Sequence, residues 1–133
     1  MSMTIHDERQ LTGLDVARLR RMAAAGAASQ LAELLDEARV VDPRDVAADV
    51  VTMNARVEVE DLHTRRRQSL VVCYPRDAQP GAGLVSVLSP VGLALLGLQA
   101  GAVARWQTPD GEEHAAAVMA VPFQPEAAGD YLT

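Results

Sequence analysis

Ser89-Pro90-Val91-Gly92-Leu93-Ala94-Leu95-Leu96-Gly97-Leu98 reads as a complete short helix. Ser89 suits the N-cap, because its hydroxyl can accept a hydrogen bond from a free first-turn amide. Pro90 suits the first helical position, where its missing N–H would go unbonded anyway. Leu93, Leu95 and Leu96 supply apolar surface, and Gly97 can take the left-handed conformation that stops the helix. A helix this short and apolar does not stand alone in water. It predicts a sheet to pack against.

Strand-like runs lie on both sides of it. Upstream, Arg56-Val57-Glu58-Val59-Glu60 alternates charged and apolar residues strictly, as on a strand with one wet face. His63-Thr64-Arg65-Arg66-Arg67 is a polar turn, and Gln68 to Tyr74 return as a more buried strand. Pro80-Gly81-Ala82-Gly83 forms a loop, and Leu84 to Leu88 is a third strand leading into the helix. Downstream, Ala102 to Gln107 and His114 to Phe123 make a hairpin around Thr108-Pro109-Asp110-Gly111. Ala115-Ala116-Ala117-Val118-Met119 would suit a helix, but the Asp-Gly turn before it and Val121-Pro122-Phe123 after it favour a strand. The residues therefore describe an α+β domain, a mostly antiparallel sheet packed around one short helix.

The first third follows a different period. Thr12-Gly13-Leu14-Asp15 has the capping-box form, in which side chains and backbone satisfy each other's free donors. Val16, Leu19, Met22 and Ala23 share one helical face, with Arg18, Arg20 and Arg21 on the other. Leu31, Leu34, Leu35 and Ala38 repeat the helical spacing, with Glu33, Asp36, Glu37 and Arg39 on the polar face. Between them, Gly26 permits a reversal and Ser29 can cap the second helix. These features predict a short antiparallel helical hairpin whose arms project only ~15–18 Å. Asp42-Pro43-Arg44-Asp45 breaks the pattern and marks a boundary.

Composition narrows the function. A chain of 133 residues has room for one ordinary domain, or a small domain with a helical appendage. Four aromatics (Tyr74, Trp106, Phe123, Tyr131) leave Val, Leu, Ala and Met to build the core. The net charge of −6 argues against direct nucleic-acid binding, which needs a clustered basic surface. Cys73 lies in an apolar run and reads as a buried small hydrophobe. The N-terminal residues lack a basic segment followed by an apolar one, and no run approaches the ~20 apolar residues of a membrane span. A cytoplasmic protein without membrane contact is expected.

A search for chemistry finds little. His6, His63 and His114 lack the paired spacing of a metal site, so no metal or cofactor is expected. No phosphate-cradling glycine loop is present. Asp36-Glu37 is adjacent on a helix and reads as its solvated face, and Arg65-Arg66-Arg67 reads as a charged hairpin tip. No catalytic residue can be assigned, and the chain is not expected to be an enzyme.

Three ordered segments carry a resemblance: Val50 to Val57 with Thr52-Met53-Asn54, Val87 to Leu98 with Ser89-Pro90-Val91-Gly92, and Phe123 to Tyr131 with Gln124-Pro125-Glu126-Ala127-Ala128-Gly129-Asp130. Together they resemble the nucleoside diphosphate kinase regulator (Rnk) branch of the Gre transcript-cleavage factor family. The resemblance implies an N-terminal tail (1–11), a short helical hairpin (12–41) as a shortened Gre coiled coil, a linker (42–49), and a Gre-type C-terminal domain of FKBP-like fold (50–133). It also implies docking on RNA polymerase near its secondary channel, carried over onto Ser89, Pro90 and Gly92. Leu88 stands where Gre factors commonly have an acidic residue, and Gly101-Ala102 where they have Gly-Asp, so the contact is expected to be more apolar.

Gre factors resemble long probes whose acidic tip helps hold a catalytic magnesium ion in the polymerase, and such an ion wants carboxylate oxygens. Here the tip is Ala23-Ala24-Ala25-Gly26-Ala27-Ala28-Ser29, without a carboxylate. Polymerase binding without stimulated transcript cleavage is therefore expected. Two other readings stay open at this stage: an interaction adaptor with a different partner, and a weak prolyl isomerase. Ser89-Pro90 as a helix start that serves only the fold is open as well. Any effect on nucleoside diphosphate kinase is read as indirect and transcriptional.

Overall fold

The computed structural model describes residues 9–24 and 29–130. Strand β1 (Gln10–Thr12) leads into helix α1 (Gly13–Ala24), followed by helix α2 (Ser29–Glu37) and strand β2 (Arg39–Val41). Strands β3 (Arg56–Asp61), β4 (Arg67–Cys73) and β5 (Leu84–Ser86) precede helix α3 (Pro90–Leu95), and strands β6 (Val103–Gln107) and β7 (Glu113–Phe123) close the chain. The five later strands form one sheet in the order β5-β4-β3-β7-β6. Its pairings are antiparallel except β4 with β5, which run parallel through two single 3₁₀ turns at Pro75–Asp77 and Pro80–Ala82.

The alternation in β3 does what it promised: Val57 and Val59 are buried while Arg56 and Glu58 are exposed. Leu70 and Val72 of β4, and Ala116 and Val118 of β7, face the same core. The register of β3 on β7 shifts on both sides of Glu58, and such bulges bend a strand. The third strand is shorter than read, ending at Ser86. Ser86 must turn there, because its carbonyl accepts from Ser89 N–H at 2.9 Å and Ser89 Oγ at 2.6 Å.

The two N-terminal helices form where expected, and a strand pair brackets them that the sequence reading did not anticipate. Residues 39–41, read as the end of the second helix, form β2 and pair in parallel with β1. Three-residue strands carry too little period to be read. Leu11, Leu19, Leu31 and Leu35 are fully or almost fully buried, in one cluster with Val51, Met53, Leu95 and Leu96. Both N-terminal helices thus share the core of the sheet. Arg20 and Asp36 join the arms by an exposed ion pair at 3.0 Å. The reversal at Gly26 lies outside the described residues, and Ser29, assigned as the cap, is the first helical residue of α2.

The capping box is half formed. Thr12 Oγ1 accepts from Asp15 N–H at 3.1 Å, but the Asp15 carboxylate turns inward instead of back to the helix start. Its Oδ2 accepts from the Met53 N–H at 3.1 Å, thirty-eight positions away. The segment after α3 is held from both sides: Gly97 carbonyl accepts from Gln10 N–H at 2.9 Å, and Gly97 N–H donates to Val51 carbonyl at 2.7 Å. Gly97 has φ +81°, and a Cβ there would lie 3.0 Å from the Arg9 side chain. Glycine fits this crossing on both counts.

Candidate partner-docking site

The three residues singled out by sequence have different duties at the start of α3. Ser89 is the N-cap: its Oγ accepts from Gly92 N–H at 3.1 Å and donates to Ser86 carbonyl at 2.6 Å. The hydroxyl is fully used by the fold. Gly92 is buried, and a Cβ added there would stand 2.0 Å from the Ser86 carbonyl oxygen. It is required by packing and presents no side chain to a partner. Pro90 is exposed at the first helical position. Of the three, it is the one that is exposed.

Pro90 lines an open cleft of about 1470 Å³ between α2, α3 and the β6–β7 hairpin. Leu93 lines it as well, half-buried with part of its side chain packed against the core. The inward positions of α3 are Ala94 and Leu95, followed by Leu96. Trp106 and His114, opposite each other on β6 and β7, stack at 5.5 Å with 13° between their planes and line the cleft. Trp106 is the one Phe, Tyr or Trp among the residues lining it. Arg9 fastens the neighbouring end of α3, its Nη1 donating to the Leu93 and Leu96 carbonyls at 2.7 Å each. Those carbonyls face the open end of the helix, where a cation is well placed.

A second polar cluster lies on the segments that carried the resemblance. Thr52 Oγ1 donates to Glu126 Oε1 at 2.7 Å, and both residues are buried. Gln124 Nε2 donates to the Ala47 carbonyl at 2.7 Å and the Val50 carbonyl at 2.8 Å. Asn54 takes φ +68°, and its N–H donates to Val72 carbonyl at 2.7 Å. These contacts fold the 124–126 segment onto the strand entry, and Asp15 joins from α1. Burial, with the Glu126 carboxylate nearby, pushes the Asp15 carboxyl up to about 7 against the Met53 N–H that favours its charged form. Its Oδ1 is buried without a hydrogen-bond partner. The sequence reading used Gln124, Glu126 and Thr52 as marks of kinship and missed their bonding. Polar residues in runs destined for the core were the available signal.

The remaining candidates are structural. Cys73 is buried with Sγ 3.5 Å from the Val85 carbonyl, and burial pushes its thiol up. Arg65 and Arg67 both pair with Glu60, at 3.3 and 3.0 Å, holding its carboxyl below the usual range. The turn they flank is closed by Asp61 Oδ1, which accepts from His63 and Thr64 N–H groups at 2.8 and 2.9 Å. His63 and His114 both line the cleft, while His6 lies outside the described residues. Among the described residues no group of three or more His, Cys, Asp or Glu could hold a metal ion. No described helix is long and apolar enough to cross a membrane.

Comparison with known proteins gives one consistent result. The family model for the C-terminal part of transcription elongation factor GreA/GreB matches residues 46–122. The regulator of nucleoside diphosphate kinase of Escherichia coli K12 is 40% identical over 98 residues, covering 74% of this chain and 72% of that protein. Transcription elongation factor GreA of Solidesulfovibrio magneticus is 33% identical over 91 residues, 68% of this chain and 56% of its own length. Among solved structures, the transcription elongation factor GreA/GreB of Nitrosomonas europaea superposes with a TM-score of 0.73 at 29% identity, over 87% of this chain and 98% of that one. The mixed α+β architecture is therefore GreA/GreB-like.

Proposed function

The chain belongs to the GreA/GreB C-terminal family, in the branch of the regulator of nucleoside diphosphate kinase, and from that membership we propose that it binds RNA polymerase near the secondary channel without stimulating transcript cleavage. The sheet and α3 serve as an FKBP-like docking domain from residue 50 onward, joined by the 42–49 linker to the shortened hairpin of 12–41 behind its tail of 1–11. Docking is through the face around Pro90. The chain itself has no catalytic role, contacts no nucleic acid directly and works in the cytoplasm.

The hairpin carries the functional distinction. Its arms are helices of 12 and 9 residues, or roughly 18 and 14 Å at 1.5 Å per residue. The sequence at its tip, Ala23 to Ser29, contains no carboxylate. Such a tip cannot supply the oxygens a magnesium ion requires. A protein with the docking end and without the acidic probe occupies the polymerase and leaves cleavage unassisted.

Competition tests partner and site together. With purified core RNA polymerase, the protein should displace a Gre factor and lower Gre-stimulated RNA cleavage in a backtracked complex, adding none of its own. Restoration of cleavage by this protein alone would overturn the proposal. Failure to bind polymerase at all would return the chain to the class of adaptors with another partner.

A further inference from the structure

The shortened hairpin has a surface that the loss of a probe does not explain. α2 lies along the open cleft and lines it with Glu33 and Glu37, four positions apart and therefore on one helical face. Both are exposed, and among the described residues neither takes part in a salt bridge. The facing wall is the β6–β7 hairpin, which adds Glu112 and Glu113. Apolar surface from Pro90, Leu93 and Trp106 lies in the same cleft. Arg9, held on the α3 carbonyls at 2.7 Å, and Arg105 bring two cations to the cleft against the four carboxylates of Glu33, Glu37, Glu112 and Glu113.

We propose that α2 is one wall of the docking cleft, and that the cleft takes a protein segment bearing Lys or Arg beside apolar residues. The apolar side chains rest on Pro90, Leu93 and Trp106, while the cations sit between the α2 and β6–β7 carboxylates. Acidic walls of this kind repel nucleic acid and select basic polypeptide, since potential complementarity governs specificity and encounter rate. The hairpin thereby acts as part of the docking face. That the segment belongs to polymerase rests on the function proposed above; the chemistry of the cleft does not.

Trp106, the sole tryptophan in the chain, makes the test direct. A synthetic tryptophan-free amphipathic peptide of Leu and Lys is titrated into the full-length protein, with a Leu and Glu peptide of the same pattern as control. The basic peptide should give a saturable Trp106 fluorescence change that weakens at least tenfold in the E33K/E37K double variant and falls with added salt. The acidic peptide should give none. The same double variant should lose about tenfold in polymerase affinity with an unchanged melting curve. Equal responses to both peptides, or an E33K/E37K titration identical to wild type, would overturn the inference. Concentration-dependent self-association lost in E33K/E37K would also overturn it, by making the occupant a second copy. A correct peptide response without polymerase binding leaves the cleft assignment standing and removes the polymerase proposal.

Discussion

Replacing Asp15 by Asn should make the protein more stable above neutral pH and remove a pH dependence that the wild type carries. Asp15 is 1% exposed, accepts a single backbone hydrogen bond from Met53, and leaves Oδ1 unpartnered. Burial raises its carboxyl from 3.8 to about 7, a greater than thousandfold rise in proton affinity. At about 1.36 kcal/mol for each factor of ten, ionising it in the folded state costs about 4 kcal/mol. The folded chain holds the proton more tightly than the unfolded chain, so no cost arises below about pH 4. The cost grows as pH rises toward 7 and levels off above it. Asn keeps the oxygen that accepts from Met53 and cannot ionise. Urea unfolding of both proteins from pH 4 to 8.5 gives the difference directly. The variant should gain about 4 kcal/mol relative to wild type across that range, a large share of the ~5–15 kcal/mol typical of a domain. The depressed carboxyls of Glu60, Asp61 and Asp110 act in the opposite direction in both proteins and cancel in the difference. A wild-type-minus-variant stability that does not change with pH would refute the reasoning.

Three further outcomes follow from single contacts. Thr52→Val removes the hydroxyl that donates to Glu126 at 2.7 Å, and leaving that buried oxygen unmet should cost about 1–3 kcal/mol in urea unfolding. Gly92→Ala would place a methyl group 2.0 Å from the Ser86 carbonyl; a lowered melting temperature with loss of the native near-ultraviolet spectrum is expected. Pro90→Arg, at an exposed site whose nitrogen has no hydrogen to lose, should cut polymerase affinity with little change in melting temperature. A large fall in melting temperature with binding intact would instead make Pro90 a purely structural helix start.

What could be read from sequence was what depends on neighbours along the chain. The Ser89 cap involves an amide three positions away, and the Val57 and Val59 burial follows from alternation within one strand. Thr108 to Gly111 forms its turn locally, with Gly111 at φ +86°. What could not be read depends on distant partners. Asp15 looked like the return arm of a capping box, because nothing near it in sequence reveals that Met53 stands closer. Gln124 and Glu126 gave a kinship signal without their geometry, since Ala47, Val50 and Thr52 reach them only after the sheet has formed. The cleft could not be read because its walls, α2, α3 and the β6–β7 hairpin, lie far apart in the chain. Pro90 was singled out with Ser89 and Gly92 as a group, and packing separates it from them.

The parallel pairing of Gln10 to Thr12 with Arg39 to Val41 has a consequence for how such proteins can diversify. The chain leaves β1 after Thr12 and returns at Arg39, beside Gln10 on the neighbouring strand, so everything between is topologically an insert. Turns added to both arms at the far end would lengthen the insert by 1.5 Å per residue while the bracket stayed where it is. Reach is thus a variable that can be altered separately from address. Two proteins that share the bracket can differ in reach through what lies inside it alone.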